Sequence, residues 1–398
     1  MRPEMARPTI SEIITAYNPA APLAEAWTLP APWYVDPRVL DLERRTVFSR
    51  SWQMVGRAEQ VREPGQFLTG EVAGEPILVV RGSDNILRGF FNVCRHHAAA
   101  VVSEPEGRAQ QLRCPYHGWT YALDGKLIGT PDFAGVRDFD YSAHGLVPLD
   151  TALWQGWLFA RVERGGASLE EFLSTALNNQ IQSLGLDRLH WAERRRYKLN
   201  CNWKVFVDNY LDGGYHVPHL HGRLSSLLDN KTYAIELGER FCLQSSAMVA
   251  NGADPATSAV RMGGRALYYW LYPNFMINYY EGVMDTNLVM VRGPACTEVV
   301  FDYYFLDLSA QAREQRLASI AVSERIQNED AAICESVQRG LSSRAYTAGR
   351  LSARREGGEH LFHKLLYADL KGGVDDARSE DVRSEERIHV TALRRIED

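Results

Sequence analysis

Apolar and polar positions alternate in short runs over 52–56, 66–72, 76–81 and 86–93. Pro64-Gly65, Gly74 and Gly82-Ser-Asp-Asn85 separate these runs, and alternation broken by turn residues predicts strands. Further short runs at 112–113, 119–122 and 156–162 complete a small antiparallel β domain. Before it, 11–17 reads as a short helix and 29–34 as extended chain. Asp36-Pro37 then supplies an N-cap and a first-turn proline for a helix to residue 48. After it, 168–216 reads as mostly helical and 231–306 as a second β region, with strands at 268–279, 286–292 and 298–306. Residues 309–342 predict one long helix capped by Ser309. Beyond 371 the chain opens with Gly372-Gly373 and runs through charges with few apolar residues, which predicts a frayed tail.

This pattern divides the chain into 1–45, an extension and helix packing on the later domain; 46–163, the small β domain; 164–371, a mixed domain; and 372–398, a charged tail. A length of 398 residues suits two cores, and the class expected is α+β. A net charge of −6 and a pI of about 6.0 argue against nucleic-acid or anionic-membrane partners. No apolar run reaches membrane-spanning length, and the start lacks an apolar leader, so a cytoplasmic protein is expected. Of the six cysteines, Cys201, Cys242, Cys296 and Cys334 stand alone and read as buried thiols.

Cys94 and Cys114 belong to a motif. Cys94-Arg-His96 and Cys114-Pro-Tyr-His117 give the spacing C-x-H-x17-C-x2-H. A zinc finger places a Cys pair before a His pair, with the histidines on a helix. Here each half gives one Cys and one His, as a [2Fe–2S] cluster needs when two histidines replace two thiolates on one iron. C-x-H spacing selects His96 over the adjacent His97.

A second cluster lies in Asn202–His221, where Asp208, Asp212, His216, His219 and His221 crowd together. Two histidines and a carboxylate with open positions bind a mononuclear Fe(II) that activates O₂. Pro218 ends a helix near Tyr215–His216, which favours His216 with His221 over His219. The third ligand is sought on 309–342, which offers Glu324, Glu329, Asp330 and Glu335. Asp330 alone interrupts an apolar stripe of Ile326, Ile333, Val337 and Leu341. Asp208, Asp212 and His216 stack at i, i+4 and i+8, so Asp212 can bond the free ring nitrogen of His216.

Together these residues resemble the α subunits of Rieske non-haem iron oxygenases over roughly 28–370. The resemblance implies a Rieske domain and a helix-grip (START-like) catalytic domain. It carries Cys94, His96, Cys114 and His117 as cluster ligands and His216, His221 and Asp330 as iron ligands. The runs NWKVFVDNYLDGGYHVPHLH, YPNFMIN, MDTNLV, VFDYYF and EDAAICESVQRGL are most like choline monooxygenases and bacterial quaternary-amine oxygenases. Many family members place a bridging acid three residues before the first iron histidine. That position is Gly213 here; the choline-type branch instead has Asp at the place of Asp212, so the resemblance carries the electron-bridging role to Asp212, with Asp208 a lesser candidate. The resemblance further implies O₂ as co-substrate, NAD(P)H acting only through a separate reductase or ferredoxin, and a homotrimer.

The expected substrate is choline, a betaine or a similar quaternary amine, hydroxylated or N-demethylated. Cation–π attraction favours aromatic faces for such a ligand. Tyr272, Phe275 and Tyr279 are the residues proposed for it from the aromatic-rich 268–280. Two other readings stand beside this one: oxygenation of an aromatic ring or acid, and a Rieske electron carrier whose second domain only binds a ligand.

Overall fold

The computed structural model describes residues 7–249 and 255–394, the side chains of Pro255 and of residues beyond 377 excepted. The chain forms two compact units, residues 48–188 and residues 1–47 with 189–398.

The first unit is built on antiparallel strands. One sheet runs in the order Gln53–Arg57, Trp157–Arg161, Pro148–Trp154, Leu87–Phe91, Glu75–Arg81, Gln66–Val72, Glu106–Arg108. A three-stranded sheet, Leu112–Arg113, Thr120–Tyr121 and Leu127–Gly129, carries the second Cys/His loop. Leu78, Val80, Phe90, Trp119 and Tyr121 pack around Cys94 and Cys114. The alternating pattern anticipates most of these strands. It misses Glu106–Arg108, Leu127–Gly129 and Pro148–Trp154, two of which are only three residues long. The unit also continues past the boundary expected at 163. The Ala167 carbonyl accepts from Trp52 Nε1 at 3.0 Å and from Arg161 Nη1 at 2.7 Å, and Trp154 Nε1 donates to Asn178. These bonds hold the helices Leu169–Leu173 and Thr175–Ser183 to the sheet.

The second unit lays helices across a seven-stranded antiparallel sheet. Its order is His190–Leu199, Cys296–Phe305, Val283–Gly293, Phe275–Tyr280, Arg265–Leu271, Phe241–Ala247, Ala234–Leu237. The strand His190–Leu199 corrects the expectation of helix over 168–216. Its charged run gives no apolar alternation. It pairs instead with a strand a hundred residues later, where Arg194 bonds Asp302 at 2.6 Å and Arg196 bonds Glu298 at 3.2 Å. The aromatic run 268–279 is two strands, because the chain reverses at Tyr272–Asn274. Residues 29–34 are not fully extended, since Pro32–Val35 closes a helical turn.

The long helix spans Arg313–Leu341 and has no side-chain N-cap. Ser309 instead caps the turn before it, accepting from Ala312 N at 3.4 Å. Its buried face runs through Ser319, Ser323, Gln327, Cys334, Gln338 and Leu341. Ile333 and Val337 are 40% and 44% exposed, so the expected stripe is displaced by one position beyond Asp330. The last helix, Gly357–Arg394, does not fray at Gly372-Gly373. A Cβ on Gly373 would lie 2.2 Å from Thr46 Cγ2, so this glycine serves a close helix crossing. Among the described residues no helix is long and apolar enough to cross a membrane.

Candidate iron centres

The two Cys/His loops have the same backbone. Cys94 N donates to Ala99 O and Cys114 N to Trp119 O, each five residues on. Ala98 N returns to Cys94 O and Gly118 N to Cys114 O, each four on. Both loops turn through a positive φ, +60° at Ala98 and +72° at Gly118. The result is a two-sided clasp. Both thiols are buried, and the His96 and His117 rings lie 4.7 Å apart. Trp119 stacks on His96 at 4.6 Å, and the Tyr121 hydroxyl lies 3.4 Å from Cys94 Sγ. His96 Nδ1 is buried without a hydrogen-bond partner, so it fits a metal better than a packed loop. Burial, and then the neighbouring Cys94, pushes the Cys114 thiol up. Iron charge would reverse that preference and hold both sulfurs as thiolates. His97 is exposed, with its ring 4.1 Å from that of His96.

In the second unit the helix Trp203–Leu211 stops one residue before Asp212. Gly213 and Gly214 follow at φ +68° and +66°. A Cβ at Gly213 would stand 2.0 Å from Arg355 O, so no side chain fits there. His216 is therefore not stacked on the helix that bears Asp208 and that Asp212 caps. It is the N-cap of the short helix Val217–Leu220, with Pro218 in its first turn. Asp212 still reaches it through the turn: Oδ2 accepts from His216 N at 2.9 Å and lies 2.6 Å from Nδ1. Asp208 faces elsewhere, accepting from Tyr34 OH at 2.6 Å and lying 3.0 Å from His363 Nε2. His219 is exposed and outside the cluster.

His216, His221 and Asp330 converge. The Nε2 atoms of His216 and His221 lie 3.7 and 3.0 Å from Asp330 Oδ1. Their Nδ1 atoms are taken by carboxylates, Asp212 for His216 and Glu329 for His221 at 2.5 Å. Asn209 Nδ2 donates to Asp330 Oδ1 at 2.8 Å. Burial pulls the His221 imidazolium down, but bonds to Asp330 and Glu329 outweigh it and raise its pKa. With both Nδ1 protons held, two bare Nε2 lone pairs face a carboxylate, an arrangement completed by a proton or a metal. Glu329 is the partner that sequence reasoning passed over.

Over this set lies a cavity of about 790 Å³, open mouth included, lined by Tyr210, Tyr233, Tyr268, Tyr280 and Phe301. Burial raises the phenols of Tyr210, Tyr233 and Tyr268, keeping them protonated. Tyr272, Phe275 and Tyr279 do not line it. Tyr272 lies in the turn, bonded to Asp369 at 2.6 Å, while Phe275 and Tyr279 point to the other face of their strand. Alternation puts Asn278 and Tyr280 on the cavity side.

Paired Cys/His loops and an open-sided His/His/Asp set are what an oxygenase needs when an external donor feeds an O₂-binding iron. Comparison with known proteins agrees: residues 51–140 match the Rieske [2Fe-2S] domain, and residues 186–371 the catalytic domain of the ring hydroxylating alpha subunit. The chain belongs to the Rieske non-haem iron oxygenases, as an α subunit carrying a Rieske cluster and a mononuclear iron. It is 41% identical to the chloroplastic choline monooxygenase of Arabidopsis thaliana, over 91% of this chain and 87% of that one. It is 31% identical to the carnitine monooxygenase oxygenase subunit of Escherichia coli K12, over 87% of this chain and 95% of that one. The solved quaternary ammonium Rieske monooxygenase CntA superposes with a TM-score of 0.80 at 26% identity, covering 91% and 99% of the two chains.

Proposed function

We propose that this monooxygenase hydroxylates a small quaternary ammonium compound, choline or a close relative. The observation that carries the reading is the inward pairing of His216 and His221 on Asp330 beneath a cavity of tyrosine faces. The names of the choline and carnitine monooxygenases among its relatives support it.

In this reading Cys94, His96, Cys114 and His117 hold the cluster, and His216, His221 and Asp330 hold Fe(II). Bound there, the iron supplies O₂ activation: one oxygen atom enters a C–H bond and the other leaves as water, with two electrons and two protons consumed. The chain's own groups set up that event. Asp212 and Glu329 keep the Nδ1 protons, so both Nε2 lone pairs stay turned inward. Asn209 fixes the rotamer of Asp330. The tyrosines exclude water and offer π faces to the cation. Asp212, bonded to the outer nitrogen of His216, would link that iron ligand to an electron donor outside the site. Asp208 is a positioning residue, tying Tyr34 and His363 to the helix behind the site.

Electrons come from NAD(P)H through a separate reductase or ferredoxin. A homotrimer passes them between subunits, a reading supported by the inter-subunit electron transfer described for CntA. The test is turnover of iron-loaded protein with a competent reductase on choline, glycine betaine, carnitine and an aromatic acid. Oxygen uptake coupled to an oxidised quaternary amine is expected. Turnover of the aromatic acid alone would make the chain a ring oxygenase.

A further inference from the structure

Asp285 lies on the sheet floor of the aromatic cavity and is 3% exposed. It is the cross-strand neighbour of Asn278, which in turn pairs with Tyr268, so the three stand in one row. Its Oδ1 accepts from Asn278 Nδ2 at 2.7 Å and from Asn287 Nδ2 at 3.3 Å, and Oδ2 from Ser323 Oγ at 3.3 Å. The nearest cation, Arg261, reaches it only through Ser323, to which Nη2 donates at 2.6 Å. Its Nη1 donates to Ser319, its Nε is buried without a hydrogen-bond partner, and the guanidinium lies 4.8 Å over the Tyr280 ring. A buried carboxylate without a direct positive partner is costly. Burial accordingly pushes the Asp285 carboxyl up, against the pull of Arg261 and the two asparagines.

We propose that Asp285 is the counter-charge for the substrate's cationic headgroup, with Tyr268 and Tyr280 as its walls. This rests on the quaternary-amine reading above and adds the direction in which the substrate lies. Ser323, which touches Asp285, and Asp330, which touches both histidines, are seven residues apart on one helix, about 10 Å along its axis. A headgroup at Asp285 therefore stands away from the iron ligands. The far carbon of its arm, rather than an N-methyl group, faces His216 and His221. The same span suits a trimethylammonium group with a short arm.

The experiment is calorimetric titration of O₂-free protein carrying both iron centres with choline and with 3,3-dimethylbutan-1-ol, its neutral isostere. The parent, Asp285→Asn and Arg261→Gln are compared. The parent should prefer choline by roughly thirtyfold, the scale of one buried charge contact. Asp285→Asn should bind both ligands alike, whereas Arg261→Gln should keep or increase the preference. Opposite responses would separate a counter-charge from a structural pair, which would lose both ligands in both variants. An unchanged preference in Asp285→Asn overturns the proposal while leaving the functional reading intact. A parent that binds no quaternary amine removes that reading itself. Should Asp285→Asn fail to fold, Arg261→Gln still decides: a retained preference supports the proposal and a lost one refutes it.

Discussion

Removing Glu329 should weaken the mononuclear site without touching the cluster. The Glu329 carboxylate holds His221 Nδ1 at 2.5 Å and so keeps Nε2 bare toward the metal. A hydrogen bond to a charged group contributes about 1.5–3 kcal/mol. The Glu329 side chain is 35% exposed, so solvent screening favours the lower end. Losing about 1.5 kcal/mol weakens Fe(II) binding roughly tenfold. Glu329→Ala should show that full loss. Glu329→Gln can still accept the Nδ1 proton and should lose only part of it. Both are read by equilibrium dialysis of Fe(II) against apo-protein, with visible absorbance of the [2Fe–2S] centre as the internal control. Parent-like Fe(II) affinity in Glu329→Ala would refute the claim that this carboxylate orients His221. A parallel loss of cluster absorbance would mean general misfolding.

Other predictions concern the turn, the cavity and one cap. Gly213→Ala puts a Cβ at φ +68° and 2.0 Å from Arg355 O; about 1–3 kcal/mol of stability and most iron retention should be lost, seen by thermal unfolding and metal analysis. Tyr268→Ala should raise the KM for a quaternary amine several-fold, while Tyr279→Ala, off the cavity, should leave KM unchanged. Asp36→Ala removes the N-cap of the helix Pro37–Glu43 and should cost about 1 kcal/mol in urea unfolding. Hydrogen bonds from Arg38 hold the Asp36 carboxyl down at about 2. Its contribution is therefore complete above an ordinary aspartate pKa of about 4 and is lost as pH falls through about 2. The parent and Asp36→Ala should thus converge in stability in acid.

Local chemistry made the Cys/His loops readable from sequence, since each loop closes on itself within five residues. Asp330 was readable as a polar break in a helix, although Cys334 and Gln338, not Ile333 and Val337, continue the buried face. Asp212 was found by spacing, yet its reach to His216 comes from a two-glycine turn and not from helical stacking. What was hidden depends on distant partners. The strand His190–Leu199 exists because Cys296–Phe305 pairs with it and balances its arginines. The cavity residues were misassigned by strand parity, which is set where the chain reverses at Tyr272–Asn274 and selects Tyr268, Asn278 and Tyr280. Glu329 gave no signal of its own, being one acid among several on the long helix.

The most direct test is a single turnover. Protein carrying both iron centres is reduced chemically without a reductase, mixed with choline and O₂, and assayed for oxidised choline and cluster reoxidation. The parent should reoxidise its cluster and form product, at most one per mononuclear iron. His216→Ala, with its cluster intact, should form none. Product from His216→Ala, or parent cluster reoxidation that never yields an oxidised quaternary amine, would contradict the account.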